Sequence, residues 1–482
     1  MSSAAEQLAA APPVGLARRA VGEQEGVWIA GGAVRDAALG RDVVDLDLAV
    51  AGDPAPVAKA IARAGAGHSF ELSAEFATWR TVAADHSWQI DVTALRGATI
   101  EEDLAERDFT VGAVAMPLAG GEPLDPFGGL ADLERGLLRT VSDRSFAADP
   151  LRLLRAARFA AGLELEIDPA TVALARAEAS RAGEPAGERQ LVELRKLVGC
   201  PDPLRGMQLL DELGLTAVVL PELEALRGVE QGPNHHLDVH GHTMAVLAHT
   251  LEVERDLDRF GGERGAELRE FLAEPLADEI SRGTALRFGA LLHDIGKPAT
   301  RSERDGFVTF IGHDRDGVEI VGALCGRLRA SRTLTRHLQD LTLHHLRLGF
   351  MVHEAPLPPR RVHEYLRATE PVGADVTLLT IADRLSARGS GPFATEEAIE
   401  AHLSLARQML ADALDWRREG PPQPLMRGDE LAAELGLAEG PELGELLAEL
   451  EAAQYAGEVS SRDEALGHAQ ALRGSSGTSA DG

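Results

Sequence analysis

The sequence predicts an α/β head followed by an all-α neck, a helical histidine-rich domain and a helical tail. Three observations carry this reading. Residues 27–140 mix short β-type apolar runs with Gly/Pro turns. From about Pro150 the apolar residues recur at helical spacing. Histidines and aspartates then gather in order through residues 236–390.

In the head, VWIA, VDLDLAV, TWRTVAA, QIDVTAL and TVGAVAM read as strands. LRLLRAARFAAGL, TVALARAEASRA and RQLVELRKLVG read as neck helices. PPQPLM (421–426) reads as a linker, and the Ser-rich C-terminus as a disordered tail. The expected boundaries are an N-terminal extension at 1–24, the head at 25–141, the neck at 142–230 and the histidine-rich domain at 231–392. A helical tail at 393–474 and a disordered end at 475–482 complete the layout.

The chain has 482 residues, 44% of them apolar, enough for several cores. Its two cysteines, Cys200 and Cys325, speak against a disulfide framework and fit a reducing compartment. MSSAAEQLAAAPPVG lacks a cationic start and a long apolar core, so no signal peptide is expected. No apolar run approaches the ~20 residues of a membrane span. A cytoplasmic protein with no membrane partner is therefore expected. The net charge of −29 works against nucleic acid, so RNA binding requires a local basic surface. Arginines between Arg135 and Lys196 offer one.

WIAGGAVRDAALGRDVVDLDLAVAG (Trp28–Gly52) places Asp45 and Asp47 two apart in a strand, on one face and about 7 Å apart. Unpaired carboxylates this close repel, and a divalent cation resolves the conflict. Asp91, in WQIDVTAL, converges with them if its strand is a neighbour. Such a triad suits two-metal phosphoryl transfer. Gly31 and Gly32 open a helical stretch carrying Arg35, a turn that lets backbone N–H groups approach phosphate.

GGAVRDAALGRDVVDLDLAVAG resembles the signature of the class II tRNA nucleotidyltransferase and poly(A) polymerase family. EEDLAERDFTVGAVA, DPFGGLADLERGLLRTV, DPLRLLRAARFAA, ERQLVELRK and the C-terminal segment from LMRGDEL follow in the family's order. The resemblance implies a nucleotidyltransferase head with a mixed sheet, and Mg²⁺ held by Asp45 and Asp47 with Asp91 assisting. It implies Gly31, Gly32, Arg35, Arg107 and Asp108 around the nucleotide. Asp149 and Arg152, with Arg155 and Arg158 continuing their helix face, are implied to select CTP or ATP for addition to a tRNA 3′ end. Chemistry agrees: an Asp acceptor beside an Arg donor matches the pairing edges of cytosine and adenine and leaves guanine and uracil unmatched.

Four departures stand out. Ala148 replaces a Glu common in the base-reading motif, Glu106 an Arg, and Gly112 an Asn. The stretch between Asp91 and Asp108 has no room for the flexible loop that switches specificity from C to A. Within the family, a shortened loop goes with enzymes that add only the two cytidines.

Farther along, His242, His293, Asp294, His313, His344, His345 and Asp383 form a set that mixes imidazole and carboxylate, suited to Mn, Fe, Ni or Zn. LLHDIGKP and its neighbours resemble the HD-domain metal phosphohydrolases, here in a two-metal form. The leading expectation is a CCA-type tRNA nucleotidyltransferase fused to an HD domain. Two alternatives stay open: a poly(A) polymerase of the same family, and an HD phosphohydrolase whose head only binds RNA.

Overall fold

The computed structural model describes residues 4–22, 24–43, 45–73, 77–85 and 88–476. The chain divides into two compact units, Met1–Leu220 and Pro221–Gly482.

The first unit is built on a six-stranded sheet. Its strands are β1 (Val27–Ala30), β2 (Asp45–Val50), β3 (His68–Ser73), β4 (Thr78–Val82), β5 (Gln89–Ala94) and β6 (Ala115–Pro117), ordered β3-β4-β5-β2-β1-β6. The β2–β5 pair is parallel and the other pairs are antiparallel, so the sheet is mixed as expected. Four of the five expected strands form over most of their length; of TVGAVAM only Ala115 and Met116 join a strand, because Thr110–Gly112 turn as a short 3-10 helix. β3 was not expected, because HSFELS has no clean alternation and most of its residues are exposed.

Strand alternation decides which face is buried. Leu46, Leu48, Ile90 and Val92 point into the core, where the helix Ala55–Ala64 covers them with Val57, Ala58 and Ile61. The N-terminal segment read as an extension belongs to this core. Its helices Ala4–Ala10 and Pro12–Val21 contribute Leu8, Val14 and Ala17, all fully buried with Ile29 and Leu46.

The helix Leu151–Leu163 follows, starting after Pro150 and ending where Glu164 turns to positive φ. Its Leu and Ala residues are buried, while Arg152, Arg155 and Arg158 recur every third residue on the other side. The neck helix Gly187–Val198 packs against it, and its buried Glu193 meets both Arg155 and Arg158.

The second unit is almost wholly helical. Val239–Arg255, Arg282–Leu292, His313–Arg327, Arg332–His344 and Gly373–Ser386 form its centre, and the last of these is buried along nearly its whole length. Its buried Asp375 accepts a 2.8 Å bond from Arg282. Helices Gly428–Leu435, Pro441–Tyr455 and Arg462–Ser476 build a smaller core of Leu431, Leu443, Leu446 and Ala469. Residues 475 and 476, expected to be disordered, close that last helix; 477–482 lie outside the described residues. Among the described residues no helix is long and apolar enough to cross a membrane.

If the N-terminal helices are part of the head core, Leu8→Ala should cost about 2–5 kcal/mol. Thermal unfolding checks this, and an unchanged melting curve would mark the segment as an appendage.

Candidate functional site

Parallel pairing of β2 with β5 sets Asp47 directly opposite Asp91 and Asp45 opposite Gln89. Residues opposite each other share a face, so the three carboxylates lie side by side on one face of the sheet. Asp45 and Asp47 are exposed on that face. Solvent reaches Asp47, yet the surrounding walls crowd it. This desolvation, then Asp91, then Asp45, raises its pKa against the pull of Arg107. Charge repulsion between neighbouring carboxylates is what a bound cation relieves. Asp91 is held by Arg80, whose Nε and Nη2 donate to its two oxygens at 2.9 and 2.8 Å. The donor atoms of the three acids do not all fall within 4.8 Å of one another.

A cavity of about 1080 Å³ adjoins the row. Asp47, Arg107, Asp108, Asp149, Arg152 and Arg155 line it. Gly31, Gly32, Arg35, Asp45, Asp91 and Arg158 do not. Gly31 has φ +74°, and a Cβ there would come within 2.3 Å of Arg107 Nη1. Only glycine both adopts this turn and admits that guanidinium. Arg107 is tied to Asp103 and to the Gly112 carbonyl. Arg35 is engaged by its neighbour Asp36 at 2.9 and 3.0 Å.

On the far wall, Arg152 donates to the carbonyls of Glu106 (2.6 Å), Arg107 (3.4 Å) and Ser145 (3.3 Å). Asp149 accepts from Leu151 N at 3.1 Å and from Arg189 at 2.8 Å. Asp108 and Arg155 form a close pair at 2.7 Å. Burial works against the Asp108 charge, but Arg155 and the Phe109 N–H outweigh it and lower its pKa. Asp108 is thereby a brace for the arginine helix. Arg158 turns away to Glu193 and takes no part in the cavity wall.

In the second unit, Asp294 sits fully buried among imidazoles. Its Oδ1 lies 3.3 Å from His313 Nε2 and 3.6 Å from His345 Nε2. Its Oδ2 lies 3.2 Å from His293 Nε2 and 3.6 Å from His242 Nε2. Asp383 is 3.0 Å from His242 Nε2. Two groups could each hold a metal ion: His242, His293 and Asp383, and Asp294, His313 and His345.

The outer nitrogens explain why these rings are aimed inward. The Nδ1 atoms of His293, His313 and His345 each donate to a carbonyl, of Ala290, Phe310 and Thr342. Neutral rings held this way present bare Nε2 lone pairs to the centre. His313 Nε2 and His345 Nε2 stand 3.3 Å apart, an arrangement that a cation between them stabilises. The buried Nε2 atoms of His242 and His293 have only carboxylate oxygens beside them, of Asp383 at 3.0 Å and Asp294 at 3.2 Å, and neither contact is aligned as a hydrogen bond. Lys297 lies 2.6 Å from Asp294 Oδ2 and is anchored by Gln231 at 2.7 Å.

His344 does not join either group. One helical step turns a side chain about 100° from its neighbour, and here His345 takes the inward position. Burial, then Arg347, lowers the His344 pKa to about 4. His235, not anticipated, packs edge-on to His242 with ring centroids 4.6 Å apart. With Lys297, His313 and Arg347 it lines a second cavity of about 690 Å³.

Residues 27–139 match the poly A polymerase head domain, residues 164–226 the probable RNA and SrmB-binding site of polymerase A, and residues 240–388 the HD domain. An A-adding tRNA nucleotidyltransferase of Deinococcus radiodurans is 36% identical over 452 residues, covering 92% of this chain and 95% of the relative. The chain belongs to the class II tRNA nucleotidyltransferase family, with a fused HD domain. A CC-adding tRNA nucleotidyltransferase of Thermus thermophilus is 34% identical over 442 residues, covering 90% of this chain and 91% of its own length. The fold is also that of the Thermotoga maritima CCA-adding enzyme complexed with tRNA, at TM-score 0.60 and 20% identity over 98% of both chains.

The departures from the class II tRNA nucleotidyltransferase pattern now have positions. Ala148 lines the head cavity, and Glu106 lends its carbonyl to Arg152. At Gly112 a Cβ would meet Asp108 at an ordinary 3.6 Å, so space does not demand glycine there. Arg80, Arg189 and Glu193 escaped the sequence reading, although each pairs with or beside an expected site residue.

Two outcomes follow. Gly31→Ala should add about 1–3 kcal/mol of backbone strain and push Arg107 off the cavity wall. Thermal unfolding and nucleotide titration check this, and wild-type behaviour in both would contradict it. Asp294→Asn should strip most transition metal from the purified protein, read by elemental analysis. Metal content equal to wild type would contradict the assignment of Asp294 to the centre.

Proposed function

We propose that this chain extends tRNA 3′ ends without a template, taking nucleotides from CTP or ATP, and that its HD domain is a metal-dependent phosphohydrolase. The observation that carries the first part is the in-register Asp47–Asp91 pair, flanked by Asp45, beside a cavity whose far wall bears Asp149 and Arg152. Magnesium ions held by Asp45, Asp47 and Asp91 would neutralise charge on the attacking hydroxyl and the leaving pyrophosphate.

Arg107, on the cavity wall, faces the triphosphate. Arg152, fastened by three carbonyls, presents a fixed donor to the base. Asp149 becomes the matching acceptor when Arg189 releases it. Cytosine and adenine satisfy this pair, while guanine and uracil leave buried polar groups unmatched.

We further propose that one enzyme of this kind adds only part of the CCA end. Between β5 and the helix Ile100–Ala105 the chain has five residues, 95–99. They are pinned: Arg96 N donates to Asp103, Ala98 N to Glu102, and Thr99 caps the helix. A segment so short and so tied offers nothing to re-aim the base reader between C and A. The relatives named A-adding and CC-adding support a divided task. The departures at Glu106, Gly112 and Ala148 spare all three carboxylates, which favours a catalytic head over an RNA-binding one.

At the HD centre, Asp294 bridges two ligand groups that suit Mn, Fe, Ni or Zn. Such a pair, when bound, activates water for phosphoester hydrolysis. Lys297 and Arg347 bring positive charge to the adjoining cavity, where a phosphate is expected to lie.

Labelled CTP and ATP offered to tRNAs ending at the discriminator base, in C and in CC test the first unit. CTP addition to the first two, without ATP addition to the third, is expected. Efficient completion of the whole CCA end would refute the divided task, and no addition to any would refute the transferase reading.

A further inference from the structure

The carboxylate row does not stop at Asp91. Asp91 pairs in register with Arg80 of β4, and Arg80 with Phe70 of β3. Asp47, Asp91, Arg80 and Phe70 thus form one line across four strands, on one face of the sheet. Beside it runs a second line, Asp45, Gln89, Val82 and His68. The opposite face is buried along the row Leu46, Ile90 and Thr81. The head therefore has an open sheet face, running from the carboxylates to its edge strand.

Two large apolar side chains on that edge are exposed, Phe70 at 46% and Leu72 at 45%. Between Phe70 and the acids stands Arg80. Its Nε and Nη2 serve Asp91, which leaves N–H groups of the five it carries to meet a further anion. Adjacent strands lie about 4.8 Å apart, so Phe70 is about 10 Å from Asp91 at the backbone. One nucleotide bridges that distance, from its 3′-hydroxyl to its base.

We propose that this open face seats the 3′-terminal nucleotide of the acceptor RNA, with Phe70 stacking its base and Arg80 holding its phosphate. This rests on the nucleotidyltransferase reading above. The placement keeps the two substrates apart, as that chemistry needs: the attacking hydroxyl and the leaving pyrophosphate reach the reacting phosphorus from different sides. The nucleotide cavity opens where Leu48, Ala49, Thr93 and Ala94 line it, along β2 and β5. The Arg80–Phe70 row leaves Asp91 across the sheet, at about a right angle to the length of those strands. An aromatic on an open sheet face beside an arginine is also a general means of holding a single-stranded base. The single positive charge on this row sits where the RNA backbone would cross, in a chain that is otherwise acidic.

The test uses the full chain and a tRNA whose 3′-terminal base is 2-aminopurine, with turnover assays on unmodified tRNA. Binding to wild type should quench the fluorescence. Phe70→Ala should abolish most of the quench and raise the tRNA KM about tenfold, with the nucleotide KM unchanged; Phe70→Trp should restore both. Phe70 is half exposed, so its loss leaves the core intact. Wild-type quenching and tRNA KM in Phe70→Ala would overturn the proposal, as would a rise confined to the nucleotide KM. A dimer in sedimentation that Phe70→Ala dissolves, with tRNA KM unmoved, would overturn it in favour of a second copy paired along β3. Failure of wild type to extend any tRNA would instead bring down the transferase reading, and is read without any variant.

Discussion

The parallel pairing of β2 with β5 is the constraint on which the head depends. It sets Asp47 opposite Asp91, two like charges on one face, in a sheet otherwise made of antiparallel pairs. A strand pair does not keep such repulsion without a compensating charge. Arg80 supplies part of it through Asp91, and Arg107 draws on Asp47 from the cavity wall. The remainder is a standing demand for cations. Everything around the row serves its geometry: the buried residues that fix the register, the glycine turn that admits Arg107, and the arginine helix braced by Asp108 and Glu193.

The HD centre answers the same problem with different ligands. Three imidazoles have their outer nitrogens fastened to carbonyls, so their inner lone pairs cannot turn away from Asp294. Burial makes each unmatched lone pair expensive, which gives the centre its appetite for metal. The two sites differ in access. The carboxylates lie on an open sheet face that suits a polymer end, whereas the histidines and Asp294 are buried beside a smaller cavity.

Much of this was legible in the sequence because the chemistry forces local patterns. Asp45 and Asp47 at strand spacing, Gly31 before a helix, and the arginines at every third residue each imply a face. What was not legible depends on tertiary choices. Ala-rich N-terminal helices read as an appendage, since their apolar stripe is made of small residues. HSFELS has no alternation, since an edge strand with one open face has little to bury. His344 and His345 are indistinguishable in sequence, and only packing of the helix end decides which turns inward. Arg80 was hidden because its role exists only once β4 lies beside β5.

The most direct measurement is the single-turnover rate of nucleotide addition by Asp91→Asn, with nucleotide affinity measured separately. If Asp91 acts with Asp47 on the reacting atoms, the rate should fall by at least about a hundredfold while affinity holds. A rate close to wild type would contradict the claim that the β2–β5 pairing builds the catalytic centre.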